Sequence, residues 1–164
     1  MTQPNPNLDS RIPATGLWDA ALQAFLREFR ADLAGGEFSD IRPTHGCVFR
    51  FVREHGLRLT RLAELAGITK QSAGEIVDDL TSRGYVERVP DPADKRAKLI
   101  CLTDRGREAQ AEGFALFGQV ERAWIERYGT ERWNAMRDLL EEIVAEKAPD
   151  AVPELRREEL AEVA

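Results

Sequence analysis

Apolar residues recur with a helical period along most of this chain, and the period changes only in one short segment past the middle. Trp18, Leu22, Phe25, Leu26, Phe29 and Leu33 step by three and four residues, which predicts a helix closed by Gly35-Gly36. Asp40-Ile41-Arg42-Pro43 opens a second helix, with Pro43 acceptable in its first turn. Val48, Phe49, Phe51 and Val52 form its apolar side, and Gly56 is its expected stop. A third helix carries Leu62, Leu65 and Ala66, with Thr60 as its expected cap and Gly67 as its exit. Ile68 packs inward, and Thr69 caps a fourth helix that runs to Arg83 and stops at Gly84. Its Ala73, Ile76, Val77 and Leu80 fall at i, i+3, i+4 and i+7, one buried stripe.

The pattern then turns to strands. Tyr85–Val89 is expected to pair with Ala97–Leu102, and Arg58-Leu59-Thr60 is a candidate short strand beside that hairpin. The tip, Pro90 to Arg96, contains two prolines that cannot donate ladder bonds and so belong in the connection. Thr103 then caps a long helix to Tyr128, marked by Phe114, Phe117, Val120 and Trp124. Gly129 breaks it, and Thr130 caps a last helix with Trp133, Met136, Leu140, Ile143 and Val144 on its apolar side. The predicted fold is mainly α with a small β-hairpin wing: a winged helix-turn-helix core plus outer helices at both ends.

The polar face of the fourth helix begins with Thr69, Lys70, Gln71, Ser72 and Glu75. These are residue types that bond base edges and phosphates: Gln to adenine, Lys to guanine or phosphate, Ser and Thr to either, Glu to cytosine. They sit at a helix N-terminus, where the macrodipole and free N–H groups favour phosphate. Gly74 leaves room for a close backbone approach; because a helical glycine costs roughly 1 kcal/mol relative to alanine, a compensating use is expected. At the hairpin tip, Asp94 can fold back as an Asx turn and hold Arg96 by a charge-assisted bond, with Lys95 between them. An arginine presented this way suits a narrow minor groove. Arg58 is a further candidate phosphate contact, with plain solvation as the alternative. A solvated polar face and an ordinary charged turn are the commoner uses of either feature alone, and their order in one segment favours recognition of nucleic acid.

The stretch LAELAGITKQSAGEIVDDLTSRGYVER, followed by DPADKRAKLICLT and DRGRE, resembles the winged helix-turn-helix core of the MarR (multiple-antibiotic-resistance regulator) family. The resemblance implies a homodimeric transcription regulator of double-stranded DNA, usually a repressor, and a two-fold symmetric reader requires a pseudo-palindromic operator. It implies dimerisation through the outer helices and a pocket for a small aromatic or phenolic effector. It maps recognition-helix contacts to Thr69, Lys70, Gln71, Ser72 and Glu75, and the wing pair to Asp94 and Arg96. Family members that sense oxidants do so through a cysteine close to the first helix; Cys47 lies in the second, so that mechanism is not carried over.

The charge balance sharpens this reading. The chain of 164 residues carries a net charge of −6, which taken whole argues against DNA. Residues 41–107, however, hold thirteen Lys/Arg against nine Asp/Glu, or +4, and the remainder is −10. The positive part coincides with the expected reading head. Asp78 and Asp79 lie in the fourth helix itself and are expected beyond the groove. Cys47 and Cys101 have no metal or disulfide-framework spacing. Cys47 reads as a small buried hydrophobe. His45 is a candidate ligand contact, although a histidine bonded within the structure is the commoner case.

No apolar run is long enough to span a membrane and no secretory pattern opens the chain, so the expected compartment is the cytoplasm. There is no glycine-rich phosphate loop, HExxH or CxxC, and no nucleophile, base and orienter occur together, so neither an enzyme nor a cofactor is expected. The organisation expected is a flexible arm over 1–14, dimerisation and scaffold helices over 15–56, the reading head over 57–102, dimerisation helices over 103–147 and an acidic tail over 148–164. Surplus apolar stripes on the outer helices motivate the dimer. The alternative is a winged helix used for protein contact without DNA affinity; Lys70, Gln71, Ser72 and Arg96 together favour the first reading.

Overall fold

The computed structural model describes residues 12–147; the tail expected over 148–164 and nearly all of the arm over 1–14 lie outside them. The elements are α1 (Ala14–Ala34), a 3-10 turn (Pro43–His45), α2 (Gly46–Phe51), β1 (Leu57–Arg58), α3 (Leu59–Ala66), α4 (Lys70–Ser82), β2 (Val86–Asp91), β3 (Asp94–Leu102), α5 (Asp104–Tyr128) and α6 (Thr130–Lys147). The three strands form one antiparallel sheet in the order β1-β3-β2.

The core sits in the winged part. Val48, Val52, Leu62, Ala73, Val77, Leu80 and Tyr85 are fully buried, and Val86 and Ile100 nearly so. The expected stripe of α4 supplies three of these, while Ile76 packs half-buried at the edge. Each fully buried Val or Leu contributes about 1.5–3 kcal/mol, so this small cluster dominates the stability of the reading head.

Several local expectations hold. Thr69 caps α4, its Oγ1 accepting from the Ser72 amide at 3.1 Å. Thr103 caps α5 by accepting from the Gly106 amide at 3.0 Å, and its hydroxyl donates to Gly84 O at 2.6 Å. Gly67 and Gly84 both take positive φ, as the exits from α3 and α4 require.

Other boundaries differ for tertiary reasons. Thr60 does not cap α3, which begins at Leu59 with Arg58 as its cap residue and no side-chain cap bond. Arg58 pairs with Leu99 in the sheet, so the strand delivers the chain directly into the helix and only Leu57–Arg58 is strand. The helix after Pro43 is shorter than expected: a 3-10 turn precedes α2, and Val52, not Gly56, ends it in an extended conformation. Gln110 of α5 donates to Phe49 O at 2.6 Å and Val52 O at 3.0 Å, satisfying carbonyls left free at that end. Thr130 is the first residue of α6 and not its cap.

The hairpin is also longer than expected. Pro90 and Asp91 belong to β2, Asp94 begins β3, and Pro92-Ala93 alone make the turn. Pro90 is tolerated because β2 is an edge strand and its register with β3 is irregular at Pro90/Asp91.

Outside the head, α1 packs on α5 through aromatic rings. Phe29 and Phe25 stack on Phe117 with centroids 4.2 and 5.5 Å away, and Phe25 meets Trp124 edge-on at 5.4 Å. α6 returns along α5, with Trp133 edge-on to Trp124 at 6.2 Å and its Nε1 donating to Glu121 at 3.1 Å. No residue of α6 is buried. Ile12, Leu17, Trp18, Leu22, Tyr128, Met136 and Leu139 are exposed large hydrophobics, all on α1, just before it, or on the last turns of α5 and on α6.

Candidate nucleic-acid interface

The start of α4 is an ordered polar surface. The Thr69 and Ser72 hydroxyls lie 2.9 Å apart, and Gln71 Nε2 donates to Glu75 Oε1 at 3.1 Å, one helical turn on. Lys70, Gln71 and Glu75 are exposed and Ser72 is half-buried beside the cap. A Gln amide bonded through one N–H to Glu75 keeps its carbonyl and second N–H for a base edge. Gly74 faces α3 only loosely: a Cβ built there would meet Leu59 Cδ2 at 4.0 Å, ordinary contact. The fold itself therefore does not demand glycine at this position.

The wing turn carries the second set. Asp94 Oδ1 accepts from the Arg96 backbone amide at 3.1 Å, so the expected Asx turn forms. The expected guanidinium–carboxylate bond does not: among the described residues Asp94 holds the Arg96 backbone and the side chain has no acidic partner. Lys95 and Arg96 are both exposed.

Arg58 is placed differently from a free phosphate contact. Its Nε donates to Asp91 Oδ2 at 2.7 Å, and its side chain is 46% exposed against 8% for that of Asp91. The other Asp91 oxygen accepts from Ala93 N at 2.8 Å. The Ala93 amide first, and then Arg58, hold the Asp91 carboxyl below the usual range.

The two acids within α4 are both occupied. Asp78 pairs with Arg88 of β2 at 2.6 Å. Asp79 meets His45 Nε2 at 2.8 Å, Arg83 Nε at 3.0 Å and Arg42 at 3.5 Å. These are close ion-pair contacts whose angles fall outside hydrogen-bond geometry at Asp79 Oδ2 and Arg83 Nε. Burial would raise the Asp79 carboxyl, and Arg83, Arg42 and His45 together outweigh it and hold it low. Arg83 also reaches Asp40, which accepts from the Tyr85 hydroxyl at 2.6 Å, and that hydroxyl accepts from Arg105 at 3.0 Å. The Tyr85 bond, then Arg83 and Arg105, keep the Asp40 carboxyl below its ordinary value. A network of charges around the buried His45 thus fixes the C-terminal half of α4 to the segment before α2.

His45 belongs to that network. It is 2% exposed, its Nδ1 accepts from the Arg42 amide at 3.1 Å, and its Nε2 faces Asp79. The acceptor role of Nδ1 puts the proton of the neutral ring on Nε2. Both nitrogens are engaged within the protein, which is the structural use of this histidine and not the ligand contact. Cys47 and Cys101 are half-buried free thiols, both pushed up by burial.

The cations between 41 and 107 therefore divide. Arg42, Arg58, Arg61, Arg83, Arg88, Arg105 and Arg107 each pair with a carboxylate. Among the described residues, those left without an acidic partner include Lys70 at the start of α4 and Lys95, Arg96 and Lys98 of the wing, all exposed. The Asp91 anchor and the Asp40–Tyr85–Arg105 cluster were not legible in the sequence. Asp91 sits between two prolines and reads there as one more polar tip residue.

Comparison with known proteins agrees with this geometry. The MarR family model matches residues 39–97, from the segment before α2 into the wing. The transcriptional regulator HosA of Escherichia coli O111:H- is 27% identical over 109 residues, 66% of this chain and 81% of that protein. The fold is that of wild-type apo MarR from E. coli, with a TM-score of 0.71 at 23% identity over 82% of this chain and 99% of that one. It is also that of CouR bound to a 23-mer DNA duplex, with a TM-score of 0.67 at 24% identity over 87% of this chain and 99% of that one. CouR from Rhodococcus jostii RHA1 bound to p-coumaroyl-CoA gives 0.66 at 24% identity, over 88% of this chain and 95% of that one. The matched segment and the related regulator converge: residues 39–97 are a MarR-family segment, and the chain is similar over 66% of its length to a transcriptional regulator.

Proposed function

We propose that this protein is a homodimeric repressor that binds double-stranded DNA sequence-specifically and is released by a small aromatic or phenolic ligand. The observation that carries the DNA reading is the division of cations. Arginines that hold the fold are matched by acids, and Asp78 and Asp79 are neutralised by them. Lys70, Lys95, Arg96 and Lys98 keep their charge for a polyanion. Thr69, Lys70, Gln71, Ser72 and Glu75 would meet the major groove and Arg96, set by the Asp94 turn, the minor groove. Selection of DNA by the purified protein, followed by mobility shift on the selected and scrambled duplexes, tests this. A pseudo-palindrome with half-sites one helical turn apart, about 10 bp, is the expected result. Equal affinity for both duplexes, or none for either, would refute it.

Dimerisation is supported by the exposed Leu17, Trp18 and Leu22 of α1 and Met136 and Leu139 of α6, large apolar side chains that a second copy would cover. In this reading the helices over 15–56 and 103–147 build the interface and scaffold, and 57–102 reads DNA. Light scattering at micromolar concentration without DNA should give twice the chain mass. The ligand reading is supported by the p-coumaroyl-CoA bound to CouR. It is supported too by a groove of about 440 Å³ lined by Glu28, Ala123, Trp124, Arg127 and Tyr128, which offers aromatic faces and one guanidinium. His45 does not line it. Aromatic acids and phenols should weaken the DNA complex, and unchanged affinity across a broad panel would remove this part of the proposal.

A further inference from the structure

We infer that Arg58 and Asp91 form a latch that sets the position of the wing for DNA binding, so that Arg58 acts through the wing and not through a phosphate. The inference rests on the DNA-binding reading above.

β1 and β2 lie on opposite sides of β3. Arg58 in β1 donates to Asp91 at the end of β2, so one guanidinium ties the outer strands across the central one. Nε makes its bond at 2.7 Å, and the NH2 nitrogen approaches the same oxygen. The second oxygen of Asp91 holds the amide of Ala93 at 2.8 Å, inside the two-residue turn. Both oxygens are therefore used, in a residue that is only 6% exposed.

The location explains the need. Pro90 cannot donate a ladder bond, and the register is irregular at Pro90/Asp91. The side-chain bonds of Asp91 replace ladder bonds where the backbone ladder is interrupted. The turn they fix leads directly into Asp94, Lys95 and Arg96. A buried carboxylate deprived of its cation is an uncompensated charge, so the turn would rearrange to reach water. Arg58, its charge matched locally, is a poor counterion for a phosphate.

The latch makes a prediction opposite in sign to simple electrostatics. Asp91→Asn removes a negative charge from an element that approaches DNA, and by charge alone it should tighten binding. By the latch it should weaken binding, by roughly three- to tenfold, the ratio that corresponds to a single modest interaction. Arg58→Gln should give a similar loss with an unchanged salt slope, since no phosphate contact is removed. The double variant should be no worse than the worse single one, because both act on one interaction. Arg58→Lys keeps the charge without the planar fork and should recover only part of the affinity.

Binding isotherms of the full chain at several salt concentrations, on the selected duplex, read all four variants. Backbone hydrogen exchange at Ala93 should speed up in Asp91→Asn and Arg58→Gln. Tighter binding by Asp91→Asn would overturn the latch, as would a salt slope lowered by about one phosphate contact in Arg58→Gln. If the unaltered protein binds no duplex, the DNA reading fails on its own, and Ala93 decides the latch: protection unchanged in both variants overturns it.

Discussion

Two glycines inside helices should respond to the same substitution in opposite directions. Gly106 lies in the first turn of α5, and a Cβ built on it would stand 2.0 Å from Tyr85 O and 3.3 Å from Leu102 Cβ. Backbone oxygen cannot yield as a flexible side chain can, so α5 would have to move off by more than an ångström. That shift would strain the Thr103 bonds to Tyr85 O at 3.0 Å and Gly84 O at 2.6 Å. Overpacking of this kind costs about 1–3 kcal/mol, and loss of one hydrogen bond adds about 1 kcal/mol. Gly106→Ala should therefore destabilise by about 2–4 kcal/mol. At Gly74 the nearest atom to an added Cβ is Leu59 Cδ2 at 4.0 Å. Only the helix propensity is left, and Gly74→Ala should stabilise by about 1 kcal/mol. Urea unfolding at one fixed protein concentration measures both, with the midpoint falling for Gly106→Ala and rising for Gly74→Ala. If glycine at 74 serves a close approach of the DNA backbone, the stabilised variant should also bind the selected duplex more weakly. Destabilisation by Gly74→Ala would refute the packing argument, and undiminished DNA affinity would refute the functional one.

Three further outcomes follow from the site. Gln71→Ala should cost roughly 1–3 kcal/mol on the preferred duplex and little on a scrambled one; equal loss on both would mean that Gln71 only positions the helix. Arg96→Ala should weaken binding on all sequences and lower the salt slope by about one charge's worth, whereas Asp94→Asn, which leaves that charge and loosens only the turn, should act in the same direction more weakly. The third concerns acid stability. Burial holds His45 below the ordinary histidine range, against the raising effect of Asp79, while Arg83 and Arg42 lower it further. The unfolded chain therefore takes up this proton more readily than the folded one, and stability rises with pH across the window. The contribution is complete above about pH 6.5 and is lost as pH falls from there toward the depressed folded value. The urea midpoint should decline over that range, and His45→Gln should flatten the decline; equal slopes in both proteins would contradict the assignment.

What the sequence determined by itself was everything set by local chemistry and period. Thr69 and Thr103 cap their helices because a hydroxyl before an apolar stripe has free amides within reach. Gly67 and Gly84 end theirs because left-handed exits favour glycine. The stripe of Ala73, Val77 and Leu80 faces the core because 3.6-residue periodicity leaves it no other side to bury. The polar start of α4 and the Asx turn at Asp94 were legible for the same reason, since each involves residues within four positions of one another. Tertiary structure decided what depended on distant partners. Thr60 lost its cap role because Arg58 pairs with Leu99, far along the chain, and pairing fixes where the strand ends. Pro90 entered the strand because β2 is an edge, a property of sheet order and not of the residue. His45 and Asp79, 34 positions apart in the sequence, found each other only when α4 packed against the segment before α2. Arg58 was the clearest case: exposed and basic, it reads in sequence like a phosphate contact, and only the fold brings a buried Asp91 to it. Charge type is written in the sequence, but whether a charge is matched depends on which acid the fold places within a few ångströms, and in a low-dielectric interior that proximity outweighs everything the residue type suggests.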